Sequence, residues 1–144
     1  MECELPSLNS NKQEIQEIFK EVKTIAVLGL SPDATKASHR VAAYLQKEGF
    51  KIVPVYPKEE TILGEKVYRS LTEIPFPVDM VDVFRKPKAL EAVVEACILR
   101  GDIKVFWAQK DIVNNIAAQK AKDAGMKAVQ NKCTMVEHMG LKGD

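Results

Sequence analysis

The stretch that most constrains this chain is Thr24 to Arg40, TIAVLGLSPDATKASHR. An apolar run stops at Gly29, a short polar loop with Pro32 and Lys36 follows, and Ser38 opens a periodic helix. Strand, tight turn and helix start in that order make an anion cradle, because the first amides of a helix have no intrahelical acceptor and point at whatever sits above the strand. The stretch reads as the phosphate-binding corner for a nucleotide-type ligand.

The rest of the chain repeats that strand and helix rhythm. Ser10 and Gln13 stand at capping-box spacing ahead of Ile15, Ile18, Phe19 and Val22, which predicts an amphipathic helix from Asn11 to Val22. Thr24–Leu30 is the first strand, apolar throughout as for a parallel strand buried on both faces. Ser38–Glu48 is a helix ended by Gly49, and Lys51–Tyr56 is the second strand, with Pro54 leaving one of its sides less fully paired. Residues 57–77 hold three prolines and predict an irregular connection with one helical turn at Ser70–Ile74. Val78–Phe84 is the third strand. Pro87 fits the first turn of a helix running to Gly101. Ile103–Trp107 is the fourth strand, Ile112–Ala124 an Ala-rich helix, Met126–Val129 a short fifth strand, and Thr134 with Glu137 caps a final helix to Gly140.

Alternation of this kind builds βαβ units with right-handed crossovers. The expected fold is α/β, a Rossmann-like three-layer arrangement around a five-stranded parallel sheet of order 3-2-1-4-5. That order puts the switch point, where open α/β sheets bind ligands, between strands 1 and 4.

The 144 residues are expected to form a single domain, 1–144, with an N-terminal extension and its helix at 1–23 and the Rossmann-like core at 24–141. Residues 1–9 read as a loose lead-in. The formal net charge of +1 argues against a nucleic-acid partner, which calls for a basic excess on one face. No run of about 18 apolar residues is present to span a membrane, and the polar N-terminus does not read as a secretory signal. Cys3, Cys97 and Cys133 are too scattered for a disulfide framework or a zinc site, which fits a reducing, cytoplasmic setting. His39 and His138 make no metal pattern, so no metal is expected.

The loops after the strands supply the candidate site. Gly29, Leu30, Ser31, Lys36, Ser38 and Arg40 follow strand 1; Pro57 and Lys58 follow strand 2; Phe84, Arg85 and Lys86 close strand 3; Trp107, Gln109 and Lys110 close strand 4. Concentrated positive charge over helix starts suits a ligand with several phosphates. The loop has only the first glycine of the G-x-G-x-x-G dinucleotide fingerprint, and Lys58 stands where a diol-binding acid would be. No Walker A loop occurs. A phosphorylated ribose, with no hydride transfer, fits best.

The stretches IAVLGLSPDATKASHRVAAYLQKEGFKIVPVYPK, ILGEKVYRSLTEIP, VDMVDVFRKP and KCTMVEH together resemble the small stand-alone CoA-binding proteins, which are similar to the N-terminal CoA-binding domain of the succinyl-CoA synthetase α subunit. The likeness covers Thr24 to Leu141. It implies a Rossmann-like fold that binds coenzyme A or an acyl-CoA: Gly29–Ser31 facing the pyrophosphate, Lys36, Ser38 and Arg40 helping with phosphates, Pro57–Lys58 bordering the adenosine end, and Phe84–Lys86 along the ligand. The phosphohistidine and nucleotide-grasp domains of the synthetase have no counterpart in this sequence, so ligase activity does not carry over and no catalytic residue is expected. A protein partner is left open. CoA carries a ribose 3′-phosphate that either Lys58 or Lys36 could hold.

Two alternatives remain at this level. One is an NAD(P)-dependent oxidoreductase using the same corner. The other is a thiol-active protein in which Cys133, at a helix start beside Lys132, forms a mixed disulfide with CoA. The plainer reading makes Cys133 a small packing residue, Cys97 a core residue, and Cys3 incidental. His39 reads as solvated or capping and His138 as structural. Asp79 and Asp82 face opposite sides of their strand, so they form no dyad, and Asp82 is expected to bond a loop. Trp107 and Phe84 fit adenine stacking and core filling equally.

Overall fold

The computed structural model describes residues 5–142. The elements run α1 (Lys12–Glu21), β1 (Thr24–Leu28), α2 (Ala37–Lys47), β2 (Lys51–Val55), β3 (Thr61–Ile62), β4 (Glu65–Lys66), β5 (Met80–Val83), α3 (Leu90–Arg100), β6 (Val105–Ala108), α4 (Asn115–Asp123), β7 (Lys127–Val129) and α5 (Thr134–Lys142). Single 3₁₀ turns sit at Leu71–Glu73 and Pro87–Ala89, the first inside the connection expected to hold one helical turn.

Five strands form a parallel sheet in the order β2-β1-β5-β6-β7. The continuous apolar runs resolve into two faces of period two. Ala26, Leu28, Val81 and Val83 pack under α3 and α4 with Val94, Cys97, Ala117 and Ala121. Ile25, Val27, Met80 and Trp107 pack under α1 and α2 with Ile15, Ile18, Val41 and Leu45. Helices on both faces make the three-layer α/β fold that the sequence predicts.

Strand order carries one correction of detail. A lone parallel bridge joins Val55 to Tyr68 on the outer edge of β2, where Tyr68 N–H donates to Pro54 O and Tyr56 N–H to Tyr68 O, both at 3.0 Å. Counting Tyr68 as a one-residue third strand recovers the 3-2-1-4-5 order, with β7 beyond it. The strand expected third, 78–84, is fourth in this count, and it lies beside β1. The topological switch point therefore lies between β1 and β5. The prolines of 57–77 and the β3–β4 hairpin leave the third strand a single residue, and Pro54, as predicted, has no N–H to offer on that edge.

The lead-in is not loose where it is described. Asn9 exchanges hydrogen bonds with the backbone of Gln130 at 2.9 Å in both directions. Gln130 Nε2 donates to Leu8 O at 2.9 Å and Ser10 Oγ to Ala128 O at 2.9 Å. These bonds cover the free edge of β7. With Ser10 so engaged, Asn11 caps α1 instead, in a reciprocal capping box with Glu14. The Thr134 hydroxyl likewise lies between Asp82 and Gln109 and does not serve as a cap.

The irregular connection is held by one side chain that the sequence pattern does not single out. Arg100, at the end of α3, donates to Leu71 O at 3.0 Å, Ile74 O at 2.8 Å and Phe76 O at 2.8 Å, and pairs with Asp102 at 2.8 Å. Its side chain is only 10% exposed. Removing it strands three carbonyls and leaves the Asp102 carboxylate with the Val78 N–H but no cation, so Arg100→Ala is expected to cost about 3 kcal/mol of stability in chemical denaturation. A loss of only a few tenths would show that the connection is held by its apolar contacts instead.

Candidate functional site

β1 ends at a point where three strands meet. Gly29 N–H donates to Val55 O at 3.0 Å, and Phe84 N–H donates to Leu28 O at 2.8 Å. Gly29 has φ +86°, and a Cβ there would lie 2.6 Å from the Phe84 carbonyl oxygen. Only glycine satisfies both the handedness and the approach. Leu30 then turns inward and is fully buried.

The loop that follows is held by its own side chains. Ser31 N–H donates to Ser38 Oγ at 3.0 Å, Asp33 N–H to Ser31 Oγ at 3.1 Å, and Thr35 donates to Asp33 Oδ1 through both N–H and hydroxyl, at 2.9 and 2.7 Å. The Thr35 hydroxyl and amide hold the Asp33 carboxyl below its ordinary value. His39 Nδ1 meets Ser31 O at 2.9 Å, and the Arg40 guanidinium donates to Thr35 O. Ser31 and Ser38 therefore shape the loop more than they face a ligand. The open donors lie one step further on. Lys36 is the N-cap of α2 and makes no side-chain cap, which leaves the first-turn amides from Ala37 onward without intrahelical partners.

Cations stand on the loops and the first turn of α2 at this end of the sheet. Lys36, Arg40, Lys58 and Lys86 are exposed, and Arg85 is half-buried with its Nε buried and unpartnered. Pro57 is exposed beside Lys58, and Phe84 is half-buried against the α1/α2 face. Arg69 joins them unannounced: its Nη1 donates to Tyr56 O at 3.1 Å and Lys58 O at 3.0 Å, fixing the turn that carries Pro57 and Lys58. The residues expected after the first three strands thus gather at one end of the sheet. Two expected site residues do not reach the rim. Trp107 is wholly buried, its ring 5.5 Å from that of Phe19 and its indole N–H donating to Lys132 O at 2.7 Å. Gln109 is 4% exposed and bonded to Thr134. Trp107 fills the core because it still pairs in the ladder, opposite Val129.

Beneath the rim lies a buried acid. Asp82 is fully buried on β5, with Oδ2 2.9 Å from Thr134 Oγ1 and Oδ1 unpartnered. Burial pushes its carboxyl up from 3.8 to about 8, against the opposing pull of the Thr134 hydrogen bond.

The remaining reactive side chains are placed by packing. His138 Nδ1 meets the Tyr44 hydroxyl at 2.7 Å, and its ring stacks edge-on to Phe19, Tyr44 and Phe50. Burial pushes His138 below the usual imidazole value, while Glu48 pulls the other way. Its place is structural. Cys97 is buried, its thiol pushed up to about 12 by burial. Cys133 is half-buried at the head of α5, and Cys3 lies outside the described residues.

Comparison with known proteins adds a family. A family model described as "CoA binding domain" matches residues 23–139. An uncharacterised protein, YneT of Bacillus subtilis, is 42% identical over 134 residues, covering 93% of this chain and 98% of its own length. The α subunit of the ADP-forming acetate–CoA ligase II of Pyrococcus furiosus is 33% identical over 86 residues, which are 59% of this chain and 19% of the ligase subunit. A hypothetical protein from Pyrococcus horikoshii has a solved structure that superposes with a TM-score of 0.89 at 39% identity, over 99% of this chain and 100% of that one.

Two measurements check this geometry. Gly29→Ala is expected to cost about 1–3 kcal/mol through backbone strain alone, with the clash against Phe84 added, so the variant should melt well below the parent; an unchanged melting temperature would mean that the strand ends do not meet as described. Asp82 stabilises the fold as the neutral acid. Its folded value lies above its ordinary one, so this contribution is complete below 3.8 and is lost as pH rises through about 8. The parent should therefore lose stability relative to Asp82→Asn across that window, and parallel stability curves would contradict a raised carboxyl.

Proposed function

Because the chain belongs to the CoA-binding domain family, we propose that it binds coenzyme A, free or acylated, as a cytoplasmic module with no catalysis of its own. The observation that carries this reading is the uncapped start of α2 after the Gly29 turn, with Lys36, Arg40, Lys58, Arg85 and Lys86 on the loops and helix start at the same end of the sheet. The pyrophosphate takes the first-turn amides of α2, where unpaired N–H groups and the helix dipole favour an anion. Gly29 lets β1 close against Phe84, which sets where the loop and α2 begin. The ribose 3′-phosphate takes Lys58 or Lys36, and Arg69 holds the Lys58 turn in place. A cation rather than an acid after β2 favours a phosphorylated ribose over the free diol of NAD.

The relatives support the same division of labour. Acetate–CoA ligases carry a matching segment as a fraction of their length, whereas the Bacillus protein matches from end to end. The segment is thus found both within a ligase and as a free-standing chain.

Calorimetric titration with CoA, dephospho-CoA and NADP tests the reading. CoA is expected to bind, and the lysine that holds the 3′-phosphate is expected to weaken CoA on replacement by alanine while leaving dephospho-CoA unchanged. A loss of about tenfold corresponds to one charged hydrogen bond. Binding of NADP but not CoA would favour the oxidoreductase. A CoA adduct in denaturing mass spectrometry that disappears only with reductant would favour the Cys133 disulfide.

A further inference from the structure

Among the described residues, two buried side-chain atoms lack a hydrogen-bond partner, Asp82 Oδ1 and Arg85 Nε, and both belong to the end of β5. The surroundings of Asp82 can be solved by counting protons. Thr134 N–H donates to Gln109 Oε1 at 3.0 Å, which fixes the orientation of that amide. Thr134 Oγ1 then lies 3.0 Å from Gln109 Oε1 and 2.9 Å from Asp82 Oδ2. One hydroxyl proton cannot serve two acceptors. If Asp82 is ionised, one of these short contacts sets two lone pairs against each other. If Asp82 is protonated on Oδ2, every contact has a donor: Asp82 O–H to Thr134 Oγ1, and Thr134 O–H to Gln109 Oε1.

We propose that Asp82 is a positioning residue for the ligand site, a neutral acid whose proton clasps the head of α5, and with it the Cys133 thiol, to the ends of β5 and β6. The ligand it serves rests on the CoA reading above; the clasp itself does not. The chain Asp82–Thr134–Gln109 ties Thr134, the first residue of α5, to the ends of β5 and β6, beside the Trp107 indole bond to Lys132 O. Loss of the proton turns the Thr134 hydroxyl onto the carboxylate and leaves its contact with Gln109 Oε1 without a donor.

Among the described residues, Asp82 enters no ion pair that would compete with this proton. The flanking strands present Val27 and Trp107 at the Asp82 register. The titratable and charged groups on the surrounding segments are His39, Arg40, Tyr44 and Lys47 on α2, Arg85 and Lys86 beyond β5, Lys110 and Asp111 beyond β6, Lys132 and Cys133 before α5, and Glu137, His138 and Lys142 along it. The carboxyl's displacement comes from burial, with the Thr134 hydrogen bond opposing it, and from none of these charges.

The test is alkylation of Cys133 in the full-length protein, using iodoacetamide and peptide mass spectrometry, at pH values on both sides of 8. The thiol's own ionisation affects parent and Asp82→Asn alike, so the ratio of their rates isolates the clasp. Asparagine keeps a donor toward Thr134 and cannot lose it. The parent and Asp82→Asn are expected to react at equal rates at low pH, and the parent about tenfold faster above the midpoint, the size of one lost hydrogen bond. Thr134→Val should react faster than Asp82→Asn at every pH. If a variant melts below the working temperature, the pH profile of the parent against Asp82→Asn alone decides. A rate ratio that stays flat through the midpoint overturns the clasp. Calorimetry with CoA on the same samples separates the two readings: a flat ratio with CoA bound defeats only the clasp, and a rising ratio with no CoA bound defeats only the ligand.

Discussion

The approach of Gly29 to the Phe84 carbonyl is the constraint on which the rest of the structure depends. A side chain at position 29 would come within 2.6 Å of that oxygen, and its absence is what lets the ends of β1, β2 and β5 come together. From this point the chain has one way forward: Leu30 drops into the core, the Ser31–Lys36 loop closes on its own side chains, and α2 starts above the strand ends. The cations arrive from three loops because parallel strands deliver their C-terminal ends to the same edge. In a chain of net charge +1, that clustering comes from topology, since composition supplies no excess.

Asp82 stands apart from this logic. A carboxyl within an otherwise apolar parallel strand would be costly as an anion, and its surroundings supply a hydroxyl and no cation. The least costly solution is the neutral acid, and that solution gives the position a property that an apolar residue would lack. It can bind the head of α5 to the sheet in a way that depends on a proton. The unpartnered Oδ1 is the remaining cost of the arrangement.

Much of the fold was legible because a strand buried on both faces and a helix buried on one differ in period, and here the two alternate along the chain. Order in the sheet was less legible. Val78–Phe84 sits beside β1 because the true third strand has shrunk to Tyr68, and a single-residue bridge leaves no periodic trace. The lead-in and the Arg100 brace were also invisible, being built from Asn, Gln, Ser and Arg side chains that bond across many residues of sequence. At the site, the loops after β1, β2 and β5 could be read from strand ends alone. Trp107 and Gln109 could not, because whether a residue near a strand end reaches the rim depends on how far the neighbouring ladder extends. Arg69 carried no local pattern and was found only through the carbonyls that it holds.

The central claim is that the amides at the start of α2 grip the ligand's pyrophosphate. Backbone amide chemical shifts recorded during a CoA titration test it most directly. The account predicts that Ala37, Ser38 and His39 shift most, with Gly29 and Lys58 next, while the far ends of the strands stay still. Shifts centred elsewhere on the protein, with α2's first turn unmoved at saturation, would contradict it.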